Sequence, residues 1–375
     1  MFDLPIIQLD FVIRNGHTFK RNAVYLKKAR GMMLNYLIEH HIEDIEQIKE
    51  IVIDDYHFSE NDSNDNHWVF IKDEKMKYIK NRRLFIMYKV GVLGAGTWGM
   101  AVARVLCNRH HSVMVWSALP QEIEYIQKNR THPKLPELEI PDDMEFTTDI
   151  KEVCNSEYLV VAVPSIFMRS TMETAKDYIK DQILIDLAKG VEKDSLYTMS
   201  EIIRDVLGNQ AKIVALSGPT HAEEVVRDMP STIVSACDDL EVAEKVQNLF
   251  QDTCMRVYTN IDVRGVELCG ALKNIIALAA GISHGLNYGD NTRAALITRG
   301  LSEMTRLGTT MGCLEQTFHG LAGIGDLIVT ATSVHSRNFK CGTLIGQGYN
   351  VDDATKEVGM VVEGLNALPA ANATC

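Results

Sequence analysis

The stretch 89–106, KVGVLGAGTWGMAVARVL, restricts what this chain can fold into more than any other. Residues 90–93 are a short apolar run of the kind that parallel sheets bury on both faces. Gly94, Gly96 and Gly99 follow as G-x-G-x-x-G, and Met100, Val102, Ala103 and Leu106 then recur at helical spacing. Gly94 permits a tight turn, Gly96 lets the backbone approach a pyrophosphate, and Gly99 lets the helix lie close to the strand. The N-terminus of that helix turns free N–H groups and the positive end of its dipole towards phosphates. A glycine triplet alone is weak evidence, but one set between a strand and a helix predicts dinucleotide binding.

At 375 residues the chain has room for two domains and an appendage. Its formal charge of −12 argues against broad nucleic-acid binding, although Lys27, Lys28 and Arg30 form a local basic cluster. No apolar run approaches the roughly 18 residues of a membrane span, and no secretory signal opens the chain. The eight cysteines show neither C-x-x-C nor His/Cys metal spacing, which fits reduced thiols in a cytoplasmic protein and no bound metal.

Residues 1–86 fall outside the dinucleotide pattern and form the first expected domain. Residues 2–13 are strand-like, 20–41 predict a helix, and 43–53 are an acidic amphipathic stretch. SENDSNDN at 59–66 is turn chemistry before a strand-like HWVFIK, and 81–84 make a charged junction. The second domain, 87–261, adds strands at 111–116, 157–163, 183–187 and 212–216. They alternate with helices at 121–129, 167–178 and 197–206, the rhythm of an α/β doubly wound sheet of Rossmann type. Pro164, Lys189 and Gly218 stand at the carboxyl ends of strands, where such sheets bind ligands, and should line one crevice. From 262 to 375 the pattern turns helical, with helices expected at 263–282, 292–311 and 336–346, so a third, mostly helical domain closes the crevice.

Two resemblances sharpen this. NAVYLKKARGMMLNYLIEHHIEDIEQIK followed by YHFSENDSNDNHWVFIK resembles the C-terminal end of the YaaA peroxide-stress family, over about residues 1–72. That family is associated with DNA binding and protection from oxidative damage, and KKARG is its basic signature. A solvated helix face on a small α+β remnant is the plainer account of the cluster. Met87 stands where a separate dinucleotide-binding protein would begin, so a fusion of two adjacent reading frames is expected. GAGTWG, VPS, LAKGVE, SGPTHAEEV, GALKNIIALAAGISHGLNYGDNTRAALITRGLSEM, GLAGIGDLIVTATSVHSRN and VVEG then occur in one order over about 87–365. Together they resemble bacterial NAD(P)-dependent glycerol-3-phosphate dehydrogenase. The resemblance implies reversible reduction of dihydroxyacetone phosphate to sn-glycerol 3-phosphate for phospholipid synthesis, by a cytoplasmic homodimer using NAD or NADP.

Reducing a ketone by hydride leaves an alkoxide that must take a proton. Lys273, inside the apolar ALKNIIALAA, is a lysine whose pKa desolvation and a second cation would bring towards neutrality. The resemblance gives it the proton transfer. Lys189, at a strand end, can polarise a carbonyl, and Asp326 in GIGDLIVT can hold the lysines or serve as a helix N-cap. Ser336, Arg337 and Asn338 open a helix and suit an anion, which the resemblance makes the substrate phosphate. By the same matching, Gly218, Thr220, Asn274 and Thr330 line the substrate side. Thr97, Trp98, Lys189, Ala222, Arg337, Val361 and Glu363 join Gly94, Gly96 and Gly99 at the cofactor. His284 and His335 are expected to be polar helix-end residues.

The chain departs from the family in three places. Thr97 and Trp98 stand where Ser and Tyr or Phe are common. Ser117, Ala118 and Leu119 follow the second strand with neither the Asp or Glu that binds a ribose nor the Arg or His that would favour NADP. After VVEG the chain runs only LNALPAANATC, so a C-terminally shortened substrate domain is expected. Two other functions stay open on these residues: a catalytically impaired cofactor-binding or stress-related fusion, and a related hydroxy acid dehydrogenase.

Overall fold

The computed structural model describes residues 7–15, 18–20, 23–40, 42, 44–53, 56–73 and 87–374. The chain divides into two compact units, Met1–Ile86 and Met87–Cys375. In the first, strands β1 (Gln8–Asn15) and β2 (Thr18–Lys20), helix α1 (Ala23–Glu39) and strands β3 (His57–Phe58) and β4 (His67–Asp73) form a four-stranded sheet of order β2-β1-β4-β3 with one helix. β1 runs parallel to β4, and β2 and β3 are antiparallel to their neighbours. Phe11 is fully buried, stacked on Phe70 at 5.2 Å and edge-on to Tyr56 at 5.4 Å. Residues 59–66 make the turn between β3 and β4, where the Ser63 hydroxyl accepts from the Val69 N–H at 2.8 Å. The amphipathic stretch at 43–53 contains only a short 3₁₀ turn, Ile45–Glu50. In the basic cluster, Arg30 faces Asp10 at 3.8 Å. The junction at 81–84 lies outside the described residues.

The second unit opens with β5 (Lys89–Leu93), α2 (Thr97–Asn108), β6 (Ser112–Trp116), α3 (Pro120–Asn129), β7 (Glu145–Thr147) and α4 (Ile150–Val153). It continues with β8 (Tyr158–Val161), α5 (Met168–Ala175), β9 (Ile183–Asp186), α6 (Met199–Leu207) and β10 (Lys212–Ser217). Helix α7 (Ala222–Val225), β11 (Ser231–Ala236), α8 (Leu240–Leu249) and β12 (Met255–Asn260) complete the sheet. The sheet order is β12-β11-β10-β9-β8-β5-β6-β7, with every pair parallel except β10 and β11. Strand order therefore reverses about β5, whose neighbours are β6 and β8, and that switch point is where a doubly wound sheet opens a ligand crevice. β8 and β9 are buried at every position, as parallel strands covered on both faces must be. Sequence reasoning placed β5, β6, β8, β9 and β10 and passed over β7, β11 and β12.

Beyond β12 come α9 (Val263–Gly285), α10 (Asp290–Thr310), α11 (Glu315–Phe318), α12 (Asp326–Thr332), α13 (Arg337–Gly346), α14 (Val351–Val358) and α15 (Glu363–Thr374). A π-helical turn, Leu321–Gly325, leads into α12. α9 has a mean hydropathy of 1.5 over an 18-residue window, so by length and composition it is apolar enough to span a membrane, against the expectation above. That window is 78% buried by its neighbours, as in the core helix of a folded domain. Along a line of glycines, α9 and α13 meet main chain to main chain. A Cβ on Gly281 would collide with the Phe339 carbonyl, and one on Gly342 with the Leu278 carbonyl. Gly285 and Gly346 continue the same seam one turn on.

Candidate active site

Parallel strands end on one edge, so the loops after β5, β6, β8, β9 and β10 share a rim. After β9, the Asp186 carboxylate accepts from the Ala188 N–H at 2.9 Å and shapes the turn that delivers Lys189. After β10, Gly218 lies where an added Cβ would come within 3.0 Å of the β11 backbone, and it presents its carbonyl to the Lys189 ammonium at 3.2 Å. The Thr220 hydroxyl donates to that same carbonyl at 3.2 Å.

One carboxylate gathers the centre of the site. Asp326 Oδ2 accepts from Lys189 Nζ at 2.7 Å, and its Oδ1 accepts from Lys273 Nζ at 2.8 Å. Lys273 also donates to the Thr330 hydroxyl at 2.6 Å, one turn along α12, and that hydroxyl donates to the Asp326 carbonyl. Asp326 is the first residue of α12 and is 1% exposed; Gly325 stands at the cap position, so the carboxylate serves the lysines rather than the helix end. Lys273, from the middle of α9, is 4% exposed, the desolvated position that its apolar segment implied. Burial pulls its pKa down to about 8, Asp326 opposes this, and the nearby Lys189 adds to it. Burial alone would raise the Asp326 carboxyl, but the two lysines hold it below the usual carboxylate range.

A second cluster joins α9, α13 and α15. The Asn274 amide donates to the Gly270 carbonyl at 3.0 Å, and its oxygen accepts from the Asn338 amide at 2.9 Å. The Asn338 oxygen in turn accepts from the Gly364 N–H at 2.8 Å. Ser336 caps α13 by accepting from the Phe339 N–H at 3.2 Å, while Arg337 is exposed and donates to the Val361 carbonyl at 3.1 Å. Glu363 reaches to the end of β8, accepting from the Ser165 hydroxyl at 2.6 Å and its N–H at 3.3 Å. Val361 and Glu363 thus tie Arg337 to the loop after β8.

The glycine turn fits a diphosphate. Gly94 has φ +113°, a region that side chains rarely enter, and a Cβ there would meet the Ala162 backbone at 2.9 Å. A Cβ on Gly99 would collide with the Gly94 carbonyl, whereas one on Gly96 would meet nothing within 4 Å. Gly96 also occupies the N-cap of α2 without a side-chain cap, so the first N–H groups of that helix face the open space. Thr97 and Trp98 open the helix, half-buried, and Ala222 starts α7, buried. The contrast between the glycines is testable. Gly99→Val is expected to destabilise the protein by about 1–3 kcal/mol. Gly96→Val should leave the melting temperature unchanged and weaken dinucleotide binding by about tenfold or more, equivalent to about 1.4 kcal/mol. Thermal melts beside binding titrations separate the two.

Sequence reasoning missed three groups near the site. His221, inside SGPTHAEEV, has a buried Nε2 with no hydrogen-bond partner, and burial lowers its pKa. Glu267 of α9 accepts from the Ser200 N–H and hydroxyl at 2.7 and 2.6 Å, and with Asp186 it forms a buried acidic pair in which burial raises both carboxyls. Glu122, in the first turn of α3, accepts from the Ser117 hydroxyl at 2.6 Å. Only His221 stood inside a quoted motif; the other two depend on contacts between distant segments or on a side chain reaching back from a helix.

Comparison with known proteins agrees with this geometry. The model of the NAD-dependent glycerol-3-phosphate dehydrogenase N-terminus matches residues 89–243, and that of its C-terminus matches 262–375. The peroxide stress protein YaaA model matches 2–62, which supports that family for the N-terminal segment but stops short of residue 72 and does not support calling the segment a C-terminal fragment. A Lactobacillus delbrueckii protein named glycerol-3-phosphate dehydrogenase [NAD(P)+] 2 is 58% identical over 292 residues, covering 76% of this chain and 87% of that protein. An Agathobacter rectalis glycerol-3-phosphate dehydrogenase [NAD(P)+] is 50% identical over 288 residues, covering 76% and 85%. The crystal structure of Coxiella burnetii glycerol-3-phosphate dehydrogenase superposes with a TM-score of 0.74 at 34% identity, covering 76% of this chain and 89% of that one. With both halves of the second unit matched and the sheet order, glycine turn and buried lysines in place, the chain belongs to the NAD-dependent glycerol-3-phosphate dehydrogenase family.

Proposed function

We propose that the chain is an NAD(P)-dependent glycerol-3-phosphate dehydrogenase, interconverting dihydroxyacetone phosphate and sn-glycerol 3-phosphate for phospholipid synthesis. The observation that carries this is the Lys189–Asp326–Lys273 triad beside an anion-suited helix start and a dinucleotide turn. The turn of Gly94, Gly96 and Gly99 with Thr97, Trp98 and Ala222 would hold the diphosphate end of a nicotinamide dinucleotide, with Lys189, Arg337, Val361 and Glu363 on its other side, and the cofactor would supply or accept the hydride. Lys273 gives a proton to the substrate oxygen in reduction and removes it in oxidation. Lys189 stabilises negative charge on that oxygen, and Asp326 fixes both ammonium groups. Arg337 and the N-terminus of α13, with Ser336, Asn338 and Asn274, hold the phosphate, while Gly218, Thr220 and Thr330 shape the substrate side. No nucleic acid or metal enters this chemistry.

In this reading the sheet domain spans 87–261 and the substrate domain 262–375, with 1–86 standing apart from the reaction. The family resemblance further supports a cytoplasmic homodimer, which light scattering on the purified protein tests.

The enzymatic test follows NADH and NADPH absorbance with dihydroxyacetone phosphate across pH. A Lys273 pKa of about 8 fixes the sign of the profile. Reduction needs the ammonium, so its kcat/KM falls as pH rises through about 8; oxidation needs the free amine, so its kcat/KM rises over the same window. A folded, dinucleotide-binding protein that turns over neither substrate overturns the enzymatic reading and leaves the impaired-fusion alternative standing.

A further inference from the structure

The rim after β6 is where a doubly wound sheet receives the adenosine ribose. Ser117 follows the strand and is 5% exposed; its N–H donates to the Thr147 carbonyl at 3.3 Å, which holds this corner against β7. Its hydroxyl donates to Glu122 Oε2 at 2.6 Å and accepts from the Leu119 N–H at 3.2 Å. The main chain therefore fixes the serine, and the serine fixes the carboxylate. Glu122 lies in the first turn of α3, where the helix dipole favours negative charge, and its Oε1 takes no hydrogen bond among the described residues.

The position of Glu122 relative to the glycine turn follows from the sheet: the Gly94 N–H donates to the Trp116 carbonyl at 2.9 Å, which sets Ser117, and the carboxylate it holds, beside that turn. The adjoining end of β7 is acidic as well: Thr147 donates to Glu152 at 2.5 Å, and Asp149 caps α4. Two cations further along the chain are turned elsewhere. Arg130, at the opposite end of α3, donates to the Pro141 carbonyl and lies over Phe146, and Lys134 donates to the Gly359 carbonyl at 2.7 Å. Ala118 and Leu119, exposed at the loop tip, bring no charge.

We propose that Glu122, oriented by Ser117, makes this enzyme select NAD(H) over NADP(H). The inference rests on the dehydrogenase reading above and deepens it. A free ribose hydroxyl can donate to Glu122 Oε1, whereas a 2′-phosphate would bring a dianion against that carboxylate, with neither Arg130 nor Lys134 turned to receive it. A hydrogen bond to a charged acceptor is worth about 1.5–3 kcal/mol, or roughly ten- to hundredfold in affinity.

The test uses the full chain and reads binding separately from turnover. Calorimetric titration with 5′-AMP and 2′,5′-ADP isolates the adenosine end, and kcat/KM with NADH and NADPH reads the whole cofactor. The wild type should favour AMP and NADH by roughly ten- to hundredfold. Glu122→Gln, which keeps an acceptor for Ser117, should narrow both ratios by about tenfold, with the KM for dihydroxyacetone phosphate unmoved. Ala118→Arg should bring 2′,5′-ADP and NADPH up. Equal or tighter wild-type binding of 2′,5′-ADP, or ratios that ignore Glu122→Gln, would overturn the inference while leaving the dehydrogenase reading intact. Selective AMP binding without turnover on either cofactor would sink the dehydrogenase reading alone.

Discussion

Replacing Lys273 by methionine lowers turnover of dihydroxyacetone phosphate by about 10²–10⁴-fold, the usual contribution of a positioned general acid. Methionine keeps the packing inside α9 but removes the ammonium that Asp326 and Thr330 hold at 2.8 and 2.6 Å. The fold survives, because Lys189 still pairs with Asp326 Oδ2. Dinucleotide binding survives too, since the glycine turn lies on a different element. The change that matters most is in the pH profile: both limbs near pH 8 should vanish with the lysine. A variant retaining those limbs would show that another group moves the proton, with His221 the first to examine.

Asp326→Asn is expected to do more damage to the fold than Lys273→Met. Removing the carboxylate leaves two lysines facing one another in a buried site, and breaking such a pair costs about 3–5 kcal/mol. It also takes away the attraction that opposes the burial of Lys273, so the lysine's pKa falls below about 8 and the reductive profile moves to lower pH. Urea unfolding measures the first effect and kcat/KM against pH the second. Combining Asp326→Asn with Lys273→Met should recover part of the lost stability, because only one uncompensated ammonium then remains. Strict additivity would mean that the three groups do not act as a unit.

The sequence displayed the parts of this site that lie within continuous motifs. Lys273 stood out because ALKNIIALAA offers a lysine no ordinary place, and burial at 4% exposure agrees with that reading. The strand, turn and helix of 89–106 were legible as a unit, whereas the reversal of strand order about β5 is visible only in the sheet. Strands β11 and β12 escaped because STIVSA and MRVYTN are short and mixed, and only their pairing at the far edge of the sheet identifies them. The bond from Glu363 to Ser165 spans 198 residues, so no local pattern announces it. Glu122 was overlooked for a different reason: the acidic group was sought at the end of β6, and the chain supplies it from the following helix, folded back onto Ser117.

The glycine seam between α9 and α13 has a consequence for substrate size. Lys273 is carried by one helix and Arg337 by the other, and the two helices touch through carbonyls and Cα atoms. At the four glycines main chain meets main chain, so any side chain added there would force the helices apart rather than adjust the gap in small steps, and the Asn274–Asn338 bond holds the same pair nearer the site. On the roles proposed for Lys273 and Arg337, the span between ammonium and guanidinium is a gauge block cut largely by the backbone. Discrimination by length among phosphorylated hydroxy compounds is thus inherited from how two helices pack, and exchanging residues that line the crevice would tune affinity without resetting the gauge.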